Sequence, residues 1–288
     1  MIPRPMMPAR LARLGWPMGR GDGWPVTGRA AARRIIARPS VRLGFFVATG
    51  VLLAFGALYA SIVLPPALTI HPDVTIGMDV HQYLDRTRAW LAGDGFYLAR
   101  QLAGPYTIET GDAMYPPPSV LLFAPFVLGA PIVLWWAIPL AAIAVALRRL
   151  RPPLWTWPVL AAILVYPRTW TVLVLGNPSM WAIAAGVAGM VWGWPAVGAL
   201  LKPVFAPFAL LGVRRRSWWV ALGVVFAVAL PFGAMWGDYA AALLNAQNPR
   251  GLEYTLGELP IGLVFLVAGW AGRRQAGDPG QRLAAKVA

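Results

Sequence analysis

Long apolar runs without charge alternate with short arginine-rich breaks along most of the chain. The first run covers residues 43–70 and is 28 residues long. An α-helix rises about 1.5 Å per residue, so this run is long enough to cross a bilayer once. Similar runs follow and predict a polytopic all-α protein with six to eight membrane segments: 113–147, 152–175, 178–213, 218–236 and 259–271.

Prolines interrupt the second run, which is 35 residues long. Pro125, Pro131 and Pro139 remove helical hydrogen bonds at three points. We therefore expect the first part of 113–147 to lie short or to re-enter before the true span.

The run 178–213 is broken by several glycines and prolines. It lies between a predicted outer turn at Gly176 and Asn177 and a cytoplasmic arginine cluster at 214–216. Such a segment must make an odd number of crossings, either one kinked crossing or three partial ones. Residues 237–258 are then expected to form a second, smaller outer loop.

The composition agrees with a membrane protein. Hydrophobic residues make up 58% of the chain and charged residues 12%, about half the charged share of a soluble domain, which is about 25%. The net charge of +14 comes from clusters at the ends of apolar runs and not from one continuous face. This distribution follows the positive-inside rule and argues against nucleic-acid binding.

The charge distribution also orients the chain. Residues 1–42 carry nine arginines and one aspartate, so we expect a basic, disordered N-terminal segment in the cytoplasm. An alternative is that part of it precedes the true start at Met6, Met7 or Met18. Residues 273–288 would form a cytoplasmic tail, and 43–272 the transmembrane domain. Arginine, alanine, glycine and proline are abundant, which favours a bacterial plasma membrane.

Residues 71–117 form the one long polar stretch. They hold six of the eleven acidic residues and both histidines. By topology this loop lies outside the cytoplasm, and a long polar loop in an apolar chain is the natural place for chemistry. Residues 79–91 within it have apolar side chains at helical spacing, so we expect an amphipathic helix on the bilayer surface, with Tyr83 and Trp90 at headgroup level.

Candidate chemistry begins with Asp79, which opens this helix. Its carboxylate could take a proton from a hydroxyl, although aspartate is also a favoured N-cap. His81 could bind a sugar or phosphate, or could be a solvated loop residue. Tyr115 would sit at the membrane interface, where tyrosine is common in any case.

Lys202 is the strongest signal in the transmembrane region. A lysine in hydrocarbon costs about 2.5–3.5 kcal/mol on insertion scales, so it must face water, an anion or a partner. Arg168 carries the same argument more weakly, because it could snorkel to an interface.

Several mechanisms find no support in the sequence. Cysteine is absent, and with two histidines no zinc motif is present. A phosphate-binding loop and a serine-hydrolase elbow are also missing. We expect no cofactor, although a carboxylate-bound divalent ion stays open.

An ordered set of short motifs resembles glycosyltransferase family 87 of the GT-C superfamily, which uses polyprenyl-phosphate sugars. An early Asp79 with Tyr83 four residues on is followed by a run at 89–95 reading AWLAGDG. Tyr115 and two prolines come next, then Gly176 with Asn177, and finally a GALLKP run at 198–203 that contains Lys202. The likeness covers residues 43–235, the usual Gly-Gln is Gly-Asn here, and the chain is shorter than typical members.

The resemblance implies an enzyme that transfers a hexose, often mannose, at an extracytoplasmic site to a glycan or glycolipid acceptor. Asp79 would be the catalytic base. A base and cations for the phosphate are what this chemistry needs. Binding of the lipid-linked substrate would fall to a wider set: His81, Tyr83, Arg86, Tyr115, Arg168, Asn177 and Lys202.

Two other functions stay open. The chain could be a non-catalytic relative that supports a partner or binds lipid, which the missing C-terminal helices favour. A transporter is the third reading and would require a polar cluster at the midplane and an internal repeat. The enzyme hypothesis makes one geometric demand: Asp79 and Lys202 must open onto the same outer site.

Overall fold

The computed structural model describes residues 35–36, 38–70, 75–109, 111–247 and 256–276, with side chains described to residue 62 in the first helix and to 273 in the last. The predicted basic segment 1–42 and tail 273–288 therefore lie mostly outside the described residues. Within them the fold is all-α, and the one β feature is an isolated bridge between Tyr106 and Ala246.

The α-helices follow in chain order. They are α1 (Pro39–Ile70), α2 (Met78–Leu91), α3 (Ala99–Ala103), α4 (Val120–Val127), α5 (Leu134–Leu150), α6 (Thr156–Ala162), α7 (Pro167–Val174), α8 (Ser179–Trp192), α9 (Ala206–Ala209), α10 (Arg216–Ala229), α11 (Gly233–Asn245) and α12 (Leu259–Ala276). Short 3₁₀ segments join several of them: Pro117–Ser119, Ile163–Val165, Trp194–Leu201, Pro203–Phe205, Leu210–Gly212 and Leu230–Phe232.

Two helical stretches are long and apolar enough to cross a membrane. They are Pro39–Ile62 and Arg216–Asn245, and each leaves almost all of its apolar surface uncovered by protein. Val220 and Phe226, for example, are 67% and 69% exposed. An apolar face of this size is unfavourable in water and compatible with lipid. The fold is thus compatible with a helical membrane protein, and the predicted count of six to eight segments stays a prediction.

Breaks divide two of the apolar runs, although Pro125 and Pro139 lie inside helices and cause none. The run 113–147 divides into α4 and the longer α5, separated by a turn in which Gly129 has a φ of +110°. The helical stretch 156–165 meets α7 at an angle of 68°, because Pro167 starts a new helix there.

The run 178–213 folds as three short antiparallel segments. Helix α8 leads away from Ser179, the 3₁₀ segment Trp194–Leu201 returns beside it, and 203–212 runs back again. Two contacts fix this order, since Lys202 reaches Ser179 and Gly212 packs against Gly193. Whether this path makes one kinked crossing or three partial ones stays a prediction.

Two sequence-based expectations are wrong. Residues 237–245 belong to α11, so the second polar loop is shorter than 237–258. The amphipathic helix is correct as α2, but its stripe of Val80, Tyr83 and Leu84 is buried against α4 instead of lying on a bilayer surface. Tyr83 stacks on Phe123, with ring centroids 5.2 Å apart.

The loop after α2 is held by a buried glutamine. Gln101, fully buried, accepts hydrogen bonds from the backbone N–H groups of Leu98 and Ala113 and donates to the hydroxyl of Tyr106. Tyr106 donates in turn to the carbonyl of Ala242 in α11, 3.0 Å away. These hydrogen bonds hold the loop against α11.

A glycine turn positions the start of α2. The N–H groups of Gly77 and Asp79 donate to the carbonyls of Val174 and Leu175, at 2.7 and 2.9 Å, so the open end of α7 caps the open end of α2. Gly176 follows with a φ of +68°.

There is no room for a side chain at Gly176. A Cβ there would lie 3.0 Å from both Val80 and the indole of Trp136. Indole N–H groups of Trp135 and Trp136 donate to the carbonyls of Gly176 and Leu173 at 2.8 and 2.7 Å, which locks the turn.

We predict that Gly176→Ala lowers the free energy of unfolding by about 1–3 kcal/mol, because it adds backbone strain to a close contact. Chemical unfolding in detergent measures this loss. The control is Gly223→Ala, in the middle of exposed α10 with nothing within 4 Å of its added Cβ; it should be neutral or slightly stabilising. Equal effects of the two substitutions would contradict the role of the turn.

Candidate functional site

Five polar side chains from four separate parts of the chain meet in one hydrogen-bonded group, here called the polar cluster. The amide Nδ2 of Asn177 donates to Oδ2 of Asp79 at 2.7 Å. Its Oδ1 accepts from Nζ of Lys202 at 3.2 Å. One amide group thus separates the aspartate from the lysine. The members are Asp79, Asn177, Ser179, Lys202 and Glu258.

Lys202 is saturated by protein acceptors. Its ammonium donates to Oδ1 of Asn177, to Oγ of Ser179 at 2.5 Å and to Oε2 of Glu258 at 2.5 Å. An ammonium has three N–H groups, and all three are used. Lys202 is 8% exposed and Glu258 is fully buried, so the two charges neutralise each other inside the protein.

A helix break presents Lys202 to its partners. The residue is extended, with φ −128° and ψ 115°, between two 3₁₀ segments. Pro203 imposes that conformation, because a residue before proline is disfavoured in the helical region. The break lies beside the first residue of α8, and this places the ammonium against Ser179.

Glu258 is held just before α12. The hydroxyl of Tyr166, at the bend before α7, donates to the carbonyl of Gly257 at 2.6 Å. The hydroxyl of Ser179 lies 2.5 Å from Oε2 of Glu258 and 2.6 Å from Oδ1 of Asn177, and its single proton goes to one of them at a time. The other carboxylate oxygen, Oε1, is buried with no hydrogen-bond partner among the described residues.

Asp79 is the outermost member of the cluster and is only half-buried. Burial raises the pKa of its carboxyl group to about 6. The hydrogen bond from Asn177 and the charges of Lys202 and Arg168 act in the opposite direction, while Glu258 adds to the rise. The group is therefore ionised at neutral pH, with a proton affinity well above that of an ordinary aspartate.

Tyr115 and Tyr83 lie behind the cluster. The ring of Tyr115 has its centroid 5.9 Å from Nζ of Lys202, and it meets Tyr83 edge to face at 4.8 Å. Both side chains are buried, at 4% and 6% exposure. Their observed contacts are to this aromatic packing, and a contact with substrate stays a prediction for both.

The remaining predicted site residues lie on α2 and at the start of α7. His81 is exposed, and its Nδ1 lies 2.8 Å from the carbonyl of Gly77, to which it donates. Arg86 is half-buried on α2. Arg168, half-buried at the start of α7, is close enough to both Asp79 and Lys202 to influence them electrostatically.

Glu258 and Ser179 were not predicted from the sequence as site residues. A buried lysine requires an anion, so the sequence indicated that Lys202 has an acidic partner. It did not indicate that this partner is Glu258, which stands directly before the last apolar run. Ser179 follows Asn177 by two residues and had no signal of its own. Among the described residues, no three His, Asp or Glu side chains form a group suited to a metal ion.

Comparison of the chain with protein-family models, curated proteins and solved structures gives no match. The polar cluster and the resemblance of the sequence motifs are therefore the two features of this chain that bear on its function.

We predict that Glu258→Gln lowers the free energy of unfolding by about 3–5 kcal/mol, because it leaves the Lys202 ammonium buried without a counter-charge. Lys202→Met with Glu258→Leu removes both charges and should recover most of the loss. Chemical unfolding in detergent checks both variants. Glu109→Gln is the control, since Glu109 pairs with Arg100 at 63% exposure and should cost at most about 1 kcal/mol. A double variant as unstable as the sum of its single variants would contradict the pairing.

We also predict that Asp79→Asn makes the protein more stable above pH 6. The pKa of Asp79 rises from 3.8 to about 6 on folding, so the ionised form is disfavoured in the fold and its cost is complete above pH 6. The cost disappears below pH 4, where both states are protonated. We expect the melting temperature to rise by about 2–6 °C at pH 8 and by nothing at pH 4. The control, Asp94→Asn, alters an exposed aspartate of the same loop; a wild type more stable than Asp79→Asn at pH 8 would contradict the prediction.

Proposed function

We propose that this protein is a membrane glycosyltransferase that moves a hexose from a polyprenyl-phosphate donor to a hydroxyl acceptor on the extracytoplasmic side. The observation that carries the proposal is the link from Asp79 through Asn177 to Lys202. It joins a carboxylate suited to proton transfer with a cation from a distant segment, although Lys202 itself is buried and does not open onto the outer site that the sequence predicted for both residues.

Asp79 acts as the general base. The acceptor oxygen attacks the anomeric carbon of the donor, its proton passes to the Asp79 carboxylate, and the bond between that carbon and the phosphate oxygen breaks. Polyprenyl phosphate leaves with the bonding electrons, and the new glycoside has inverted configuration. Because phosphate is a good leaving group, the reaction needs no strong general acid.

The proton affinity of Asp79 suits this role. A base with a pKa of about 6 is ionised at neutral pH and still accepts a proton more readily than an ordinary aspartate. Asn177 donates to Oδ2 and fixes the plane of the carboxylate. The acceptor hydroxyl would then approach Oδ1.

The basic residues of the site have separate roles in this proposal. Arg168, half-buried and electrostatically coupled to Asp79, would bind the donor phosphate. Lys202 has no N–H left after its three internal bonds, so in this proposal it fixes Asn177 and adds positive potential. Arg86 and His81, at the more open side of α2, would contact the sugar or the acceptor.

The same saturation of Lys202 favours one alternative. A cluster whose cation is fully satisfied internally can serve as a structural clamp in a non-catalytic membrane subunit of this kind. The two functions differ in turnover: the purified chain alone transfers sugar only if it is the enzyme.

We expect Asp79→Asn to lower transfer from polyprenyl-phosphate mannose by about 10²–10⁴-fold, the usual contribution of a general base. Radiolabelled product in detergent or nanodiscs measures this. Asp94→Asn, an exposed change of the same charge in the same loop, should leave the rate unchanged. For the wild type, kcat/KM should fall about tenfold per pH unit below pH 6 and level off above it.

Full activity of Asp79→Asn would remove the assigned base. No turnover by the wild type with several polyprenyl-phosphate hexoses, together with co-purification of an obligate partner, would favour the non-catalytic subunit instead. A melting profile that matches the wild type at pH 4 shows that the variant is folded, so a loss of transfer would not be a loss of structure.

A further inference from the structure

A large apolar groove lies away from Asp79, between α5, α8, α10 and the 3₁₀ segment 194–201. Its volume is about 1080 Å³, slightly above the usual range of ligand pockets, about 300–1,000 Å³. Side chains such as Val145, Ala188 and Val224 form its walls, and Ser217 contributes the one hydroxyl group among its lining residues. An aliphatic chain fits such a surface, whereas a polar ligand would leave its groups unpaired.

The groove has the length of one membrane leaflet. It extends along α8 from Trp181 to Trp192, and eleven residues of helix span about 17 Å. Half of the hydrocarbon core of a bilayer is about 15 Å thick. The groove therefore matches the acyl chain of a lipid that lies in a single leaflet.

One end of the groove is basic. Arg215 precedes α10, donates to the carbonyl of Val191 and packs its stem over Gly193, between the groove residues Trp192 and Trp194. Arg273, near the end of α12, is half-buried and is repelled by the charge of Arg215.

Within the part of the chain that the structure describes, this arginine pair has no carboxylate counter-ion. No described carboxylate forms an ion pair with Arg215 or Arg273. The described acidic residues belong instead to α2, its following loop, α11 and the start of α12. Guanidinium groups without a carboxylate partner are suited to a phosphate.

We propose that the groove binds an anionic phospholipid, with its phosphate on Arg215 and Arg273 and one acyl chain along α8. The two tryptophans at the basic end lie where a headgroup would meet the hydrocarbon. The position of the basic end distinguishes a phospholipid from a sugar donor. The phosphate of a sugar donor would have to lie near Asp79, at the other end of α8. The choice of a phospholipid over a sugar donor rests on the proposed function, which places the donor phosphate near Asp79.

Native mass spectrometry of the purified full chain tests the proposal, with dioleoyl phosphatidylglycerol and dioleoyl phosphatidylcholine as probes that share the same acyl chains. We expect the anionic lipid to bind at least about tenfold more tightly. Arg215→Gln with Arg273→Gln should remove this preference. Ala141→Trp, at an exposed position on the groove wall, should weaken the binding of both lipids about equally.

The matched control is Arg148→Gln with Arg149→Gln, which removes two exposed charges from the end of α5 and should keep the preference. Equal binding of the two lipids by the wild type, or an equal loss in the control, would overturn the proposal. So would competition by polyprenyl phosphate that depends on Arg215 and Arg273, because the groove would then serve the donor. Should the double arginine variant not fold, Arg215→Ala alone must still reduce the preference, and unchanged binding by it would reject the site.

Discussion

A charged lysine in an apolar bundle exists only if its charge is neutralised, and the rest of the site follows from that constraint. Lys202 meets Glu258 across 56 residues of chain, and both side chains are buried. To satisfy the ammonium, the helix break at 202, the first residue of α8 and the residue before α12 must come together. Asn177 is fixed by the same ammonium, and Asp79 is fixed by Asn177. The outermost carboxylate is thus positioned by a pair that itself lies in the interior.

Asp79 differs from Lys202, because its hydrogen-bond partner in the cluster is a neutral amide. Burial disfavours its ionised form, and the hydrogen bond from Asn177 and the nearby positive charges offset this only in part, so the pKa rises to about 6. A site designed only for stability would place an amide or an apolar side chain here. An ionised group kept at a cost to stability, next to a fully satisfied ion pair, supports the proposed role of Asp79 as a base.

Local signals in the sequence were sufficient for the helices but not for their partners. Uncharged runs and prolines predicted α1, the division of 113–147 and a broken path after 178, because each depends on nearby residues alone. The stripe of α2 was visible, yet its contact with α4 was not, since period alone does not distinguish protein from lipid. Glu258 was not predicted as the partner of Lys202, because their pairing depends on the combined directions of several turns in the 56 residues between them.

The groove and the polar cluster share their walls, and this connects the two ends of the protein. Ser179 begins α8, which then forms one wall of the groove, and Lys202 directly follows Leu201 at the end of the 3₁₀ wall. A lipid acyl chain that fills the groove holds these two short segments against each other. Short helices gain their stability mainly from packing and little from their own propensity. An occupant of the groove therefore favours the same arrangement that brings Lys202 to Ser179, and through Asn177 it favours the ordered carboxylate of Asp79.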